Sequence, residues 1–127
     1  MIFGKQEQYQ YLANQYENRV CKATLRFLKS GAVCADVGAH IGFFTLLMAK
    51  IVGPRGKVYA FEAFPENAAL LRSNVKLNAY ENTVVVENKA VGSTSCEDVA
   101  LYLGPSSFES SIMLHQDCDS ITVPGIS

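Results

Sequence analysis

Neither sign of charge dominates this chain: 11 basic residues stand against 12 acidic ones. That balance argues against nucleic acid as a partner and against a polybasic membrane anchor. Long apolar runs are also missing. The longest near the glycine-rich centre, residues 41–49, is too short to cross a bilayer. Residues 1–30 are polar and tyrosine-rich, without the apolar core and small-residue cleavage site of a secretory signal. The four cysteines, Cys21, Cys34, Cys96 and Cys118, show no C-x-x-C spacing. A reduced, cytoplasmic protein is the expectation. His115, Cys118 and the acids beside them have no second cluster to join, so they read as a polar tail and no metal site is expected. The serines at 106, 107, 110 and 111 lack a G-x-S-x-G elbow and read as loop.

What the chain does have is enough apolar material, 49% of 127 residues, to bury one core. Residues 7–29 read as an amphipathic helix, with Tyr9, Leu12, Ala13, Tyr16, Val20, Ala23, Phe27 and Leu28 at helical spacing. Ser30 and Gly31 end it, so residues 1–31 form an N-terminal helical segment and residues 32–127 the main domain. Residues 33–37 form an apolar run suited to a central parallel strand buried on both faces. A helix over 41–51 follows, then a break at residues 53–56, a strand over 57–62, a helix over 65–78 and a strand over 83–87. Alternation of this kind predicts an α/β fold, a parallel sheet with helices on both faces. Residues 99–103 and 112–114 are expected to pair as a C-terminal β-hairpin.

The chemistry gathers where the first strand turns into the next helix. The run Asp36-Val37-Gly38-Ala39-His40-Ile41-Gly42 puts one glycine at the turn and another where the helix begins. Gly38 lets a ligand approach the backbone, and the helix start offers free amides to a carboxylate or phosphate. Two acids flank this turn: Asp36 at the end of the first strand and Glu62 at the end of the second. A carboxylate in the second position accepts hydrogen bonds from both hydroxyls of a ribose. Asp36 occupies the place where a dinucleotide fingerprint G-x-G-x-x-G has its first glycine. A carboxylate there repels a pyrophosphate but attracts a sulfonium and an α-amino group. S-adenosylmethionine is therefore favoured over NAD as the cofactor. Each acid also has a plain structural reading, Asp36 as a cap on the following turn and Glu62 as a solvated strand end.

The run from Asp36 to Leu46 resembles the first motif of the FkbM-type methyltransferases, a class I family. Val58-Tyr59-Ala60-Phe61-Glu62-Ala63-Phe64-Pro65-Glu66-Asn67 is similar to that family's second strand and following helix. Leu77-Asn78, Asn88-Lys89-Ala90-Val91-Gly92 and Leu101-Tyr102-Leu103 fit as well. The resemblance implies a Rossmann-like class I methyltransferase fold, S-adenosylmethionine as cofactor, and an oxygen acceptor on a sugar or small natural product. It implies that Gly38, Ala39 and Gly42 line the cofactor and that Glu62 holds its ribose. Ala63 and Phe64 would border the adenine, with Asn88 and Lys89 beside its edge. His40 stands where asparagine is commoner in the family, and Ala63 where proline is frequent.

The family's later strand, which ends in an acidic motif like D-V-E-G, has no counterpart in the 127 residues. The expectation is a truncated chain with an incomplete sheet, most of its acceptor pocket missing and its catalytic base unassigned. The first strand would then lie at an apolar edge and drive self-association. Two rival readings stay open, an NAD-linked oxidoreductase domain and a non-catalytic binding or assembly module.

Overall fold

The computed structural model describes residues 18–92, 98–102 and 120–126. The elements in order are α1 (Asn18–Phe27), β1 (Val33–Val37), α2 (Phe43–Val52), β2 (Lys57–Phe61), α3 (Pro65–Leu77), β3 (Val84–Glu87), β4 (Ala90–Val91), β5 (Asp98–Tyr102) and β6 (Ser120–Ile126). The strand–helix alternation expected for the middle of the chain is present, with ends shifted by one or two residues. Ile41, expected in a helix, lies fully buried in the turn before α2.

β1, β2 and β3 form a parallel sheet in that order. Val33 pairs with Lys57 and Val37 with Phe61, and Phe61 pairs in turn with Glu87. Side chains alternate across a pleat, so Cys34, Asp36, Val58, Ala60, Val84 and Val86 share one face. That face meets Leu46, Ala49 and Val52 of α2 and Leu71 and Val75 of α3 in a single core. Cys34 behaves as a small hydrophobe there, its Sγ 3.9 Å from Met48 Sδ. Burial and the Asp36 charge push its thiol pKa up, which keeps it neutral.

The opposite face carries Val33, Ala35, Val37 and Tyr59, all exposed. β1 was expected to be buried on both faces. Instead Val33 is 69% and Val37 61% exposed, because β1 pairs only with β2 among the described residues and its second face has no cover there.

The first helix also differs from expectation. Residues 7–17 lie outside the described residues. Of the predicted stripe, Leu28 packs against the core, but Ala23 is exposed and Phe27 is 75% exposed. The helix ends at Phe27, short of Ser30 and Gly31, and Gly31 donates its N–H to the carbonyl of Val52 at the end of α2 (2.7 Å).

A second sheet has the order β4-β6-β5. β5 is the strand expected near 99–103, shifted by one residue, but it pairs antiparallel with β6, from Asp98 opposite Pro124 to Tyr102 opposite Ser120. The expected partner, residues 112–114, lies outside the described residues, as do the serine-rich loop, Cys96, Cys118 and the polar run 115–119. β6 also runs parallel to β4, with Ala90 opposite Gly125.

Candidate functional site

The site lies where β1 and β2 end, because both loops that carry the sequence motifs leave the sheet there. After Val37 the backbone turns through Gly38 at φ 77°. The N–H groups of Gly38 and Ala39 both donate to the carbonyl of Phe61, at 2.9 and 3.0 Å. The turn is thus pinned to the last residue of the neighbouring strand. His40 follows in the left-handed region (φ 52°), unusual for a residue with a side chain. Its N–H donates to Glu62 Oε2 at 2.7 Å. Gly42 closes the turn by donating to Ala39 O (2.9 Å) at φ 101°. Close packing adds a second demand for glycine there: a Cβ would sit 2.4 Å from Leu71 Cδ1.

Gly42, as the residue before α2, supplies no side-chain cap. Asp36 does that work from the end of β1. Thr45 donates its hydroxyl to Asp36 Oδ2 at 2.5 Å, and its backbone N–H reaches the same carboxylate. The first-turn amide of α2 is satisfied in this way. The carboxylate is buried, and desolvation raises its pKa above the ordinary aspartate range. The bonds from Thr45 oppose that rise, and the charge of Glu62 adds to it. The two acids singled out in the sequence therefore lie close enough to feel one another.

Glu62 joins the two loops. Its own N–H extends the ladder to Glu87 O (3.0 Å). Beyond that point the carboxylate accepts the N–H of His40 on Oε2 and that of Phe64 on Oε1, the latter at 2.9 Å. It is 8% exposed, so it is not the solvated strand-end acid of the plain reading. Each carboxylate oxygen has a second lone pair, so two amides leave acceptor capacity for two hydroxyls. Ala63 and Phe64 are half-buried at the start of α3.

Asn88 and Lys89 are placed differently from one another. Asn88 turns its amide toward the site loop and donates to Glu62 O (2.8 Å) and Ala63 O (2.9 Å). Lys89 pairs with Glu87 at 3.0 Å, both side chains being well exposed. The structure thus brings together Asp36, Gly38, Ala39, His40, Gly42, Glu62, Ala63, Phe64 and Asn88 through bonds or direct chain continuity, and directs the Lys89 ammonium to a neighbouring acid.

Two residues that sequence reading missed support the turn. Thr45 anchors Asp36. Asn74, fully buried on α3, donates to the carbonyl of Ile41 at 2.8 Å. The signal for Asn74 is an amide lodged in the apolar face made by Leu71 and Val75. For Thr45 it is a hydroxyl in the first turn of a helix that has no cap of its own. Among the described residues no cluster of three metal-type side chains exists, and no helix is long and apolar enough to cross a membrane.

Comparison with known proteins bears on this arrangement. The chain is 35% identical over 75 residues to protein-L-isoaspartate O-methyltransferase 1 of Archaeoglobus fulgidus, covering 59% of this chain and 34% of that protein. It is 37% identical over 59 residues to the protein-L-isoaspartate O-methyltransferase of Ignicoccus hospitalis, covering 46% of this chain and 28% of the relative. The matched stretches thus span about a third of those relatives' length. Among solved structures it resembles a SAM-dependent O-methyltransferase of Thermotoga maritima, with a TM-score of 0.53 and 27% identity, over 57% of this chain and 28% of that one. A model of the methyltransferase FkbM domain matches residues 36–125, from the acid that anchors the glycine turn to the end of the second sheet. On that match the chain belongs to the FkbM methyltransferase domain family.

Proposed function

We propose that this chain is the S-adenosylmethionine-binding part of a methyltransferase that acts on oxygen. The observation that carries the reading is the position of Glu62. Its buried carboxylate ties the glycine turn to the next loop and keeps lone pairs in reserve for a ribose. The remaining residues fit the same cofactor. A Cβ built on Gly38 meets nothing within 4 Å, so the turn borders open space. Asp36 supplies negative charge next to that turn, which suits a sulfonium and an ammonium and opposes a pyrophosphate. When bound, S-adenosylmethionine supplies an electrophilic methyl group on sulfur. This chain's residues hold and orient it: Glu62 by the ribose, Gly38 to Gly42 by close backbone approach, Ala63 and Phe64 along the adenine.

The acceptor in this reading is an oxygen of a sugar or small natural product, as the family resemblance implies. The isoaspartate methyltransferases named above also transfer to oxygen, but the matched stretches cover only a third of their length or less, so their protein substrate does not carry over with the match.

The test is calorimetric titration with S-adenosylhomocysteine and, separately, NAD. Binding of the first alone is the expected result. Glu62→Ala should weaken it by more than tenfold, on the scale of about 1.5–3 kcal/mol for hydrogen bonds to a charged group. Unchanged affinity would remove Glu62 from the site. Preference for NAD would replace the methyltransferase reading with an oxidoreductase one. Binding of neither would leave a module that keeps the fold without the cofactor.

A further inference from the structure

We propose that Asn88 is a positioning residue, bracing the backbone that aims Glu62 at the cofactor's ribose. This inference rests on the methyltransferase reading for the identity of the ligand but not for the brace itself. The β2–β3 ladder has its last rung at Glu62 N–H to Glu87 O, 3.0 Å. Past that rung the chain leaves the sheet for α3, and among the described residues no strand N–H takes the carbonyls of Glu62 and Ala63. One side-chain amide takes both. Asn88 Nδ2 lies 2.8 Å from Glu62 O and 2.9 Å from Ala63 O. Both hydrogens of that amide are committed to the backbone, so only Oδ1 is left for a ligand. The part Asn88 plays at the adenine edge is at most that of an acceptor.

Consecutive carbonyls held by one group fix the orientation of the 62–63 peptide. That orientation sets the direction in which the Glu62 side chain leaves the backbone. Its carboxylate then meets His40 N–H at 2.7 Å and Phe64 N–H at 2.9 Å. Without the brace the loop can rotate, and the carboxylate loosens its hold on both amides before any hydroxyl arrives. Asparagine suits this place because aspartate has no donor and glutamine sets its amide one methylene farther out.

The variant to make is Asn88→Asp. It keeps the shape, removes both donors and places an oxygen against two carbonyl oxygens. The first readout needs no ligand: amide hydrogen exchange at His40 and Phe64. Both should exchange faster in N88D. Arg72→Ala, which removes an exposed contact from α3 to Val86 O, should leave those amides as in the wild type. The second readout is the ratio of affinities for S-adenosylhomocysteine and its 2′-deoxy analogue. The wild type should prefer the hydroxylated ligand by about tenfold, the scale of one hydrogen bond to a charged group. N88D should bring the ratio close to unity, as should Glu62→Ala.

Unchanged exchange at His40 and Phe64 overturns the brace. Faster exchange with an undiminished 2′-hydroxyl preference overturns its role in ribose recognition. If the wild-type chain binds neither nucleoside, the methyltransferase reading and the ribose role fall together, and the exchange measurement still decides the brace.

Discussion

Gly42 carries two demands that a single methyl group would violate separately, and the two can be told apart. Its φ of 101° lies in the left-handed region, where a side chain costs roughly 1–2 kcal/mol. Its Cβ position lies 2.4 Å from Leu71 Cδ1. Leu71 is fully buried, so its methyl cannot swing into solvent. Overpacking of this kind costs about 1–3 kcal/mol. Gly42→Ala should therefore destabilise the chain by about 2–5 kcal/mol, a large share of the 5–15 kcal/mol typical of a domain.

The measurement is denaturant unfolding, run in sucrose so that the weakest variants stay folded. In a Leu71→Ala background the steric part disappears, and Gly42→Ala should cost only its backbone part, about 1–2 kcal/mol. Gly38→Ala is the natural control, because its φ is 77° while a Cβ there meets nothing within 4 Å. It too should show the backbone cost alone. Equal costs of Gly42→Ala in both backgrounds, or a cost no larger than that of Gly38→Ala, would refute the close approach of α3 to the turn.

Two other outcomes are expected. The raised pKa of Asp36 means that the folded state holds this proton more tightly than the unfolded chain does. Its effect on stability is therefore most favourable at the acid end and fades as pH rises from the ordinary aspartate range through the raised value. Asp36→Asn can still accept the Thr45 bonds through its amide oxygen, so it should lose that decline and gain on the wild type as pH climbs. Parallel melting curves across this range would show that Asp36 is not strained by burial. Separately, the apolar edge at β1 should make the 127-residue chain self-associate in light scattering, and Val33→Lys with Val37→Lys should shift it toward monomer. A wild-type chain already monomeric at high concentration would remove β1 as a contact surface.

The core of the fold was legible because parallel βα units write plain local signals. The apolar run 33–37, the break at 53–56 and Pro65 at the start of α3 mark element ends through local sterics alone. The acids at 36 and 62 were legible as a pair for the same reason, since each ends a strand. What was not legible depends on contacts distant in sequence. The burial of β1 is decided by which strands lie beside it, and apolar residues on an uncovered strand look like those on a covered one. The pairing of β5 with β6 was not foreseen, because register between strands so far apart in the chain leaves no local trace. The place of Asn88 at the end of β3 was visible in the sequence, whereas the bonds of its amide to Glu62 O and Ala63 O were not. Asp36 was read both as a charge for the cofactor and as a cap on the turn, and the Thr45 bonds bear out the second of these.

The glycine turn is tied down by its own protein before a ligand arrives: Gly38 and Ala39 on Phe61, His40 on Glu62. This bears on how fast the site fills. A loop that had to fold around its guest would give a binding rate that levels off at high ligand concentration, limited by the rearrangement. A socket ordered in advance has no such plateau, and its ordering entropy is charged to folding instead of to binding. The observed rate should rise linearly with ligand concentration, and a tighter grip should show as slower departure.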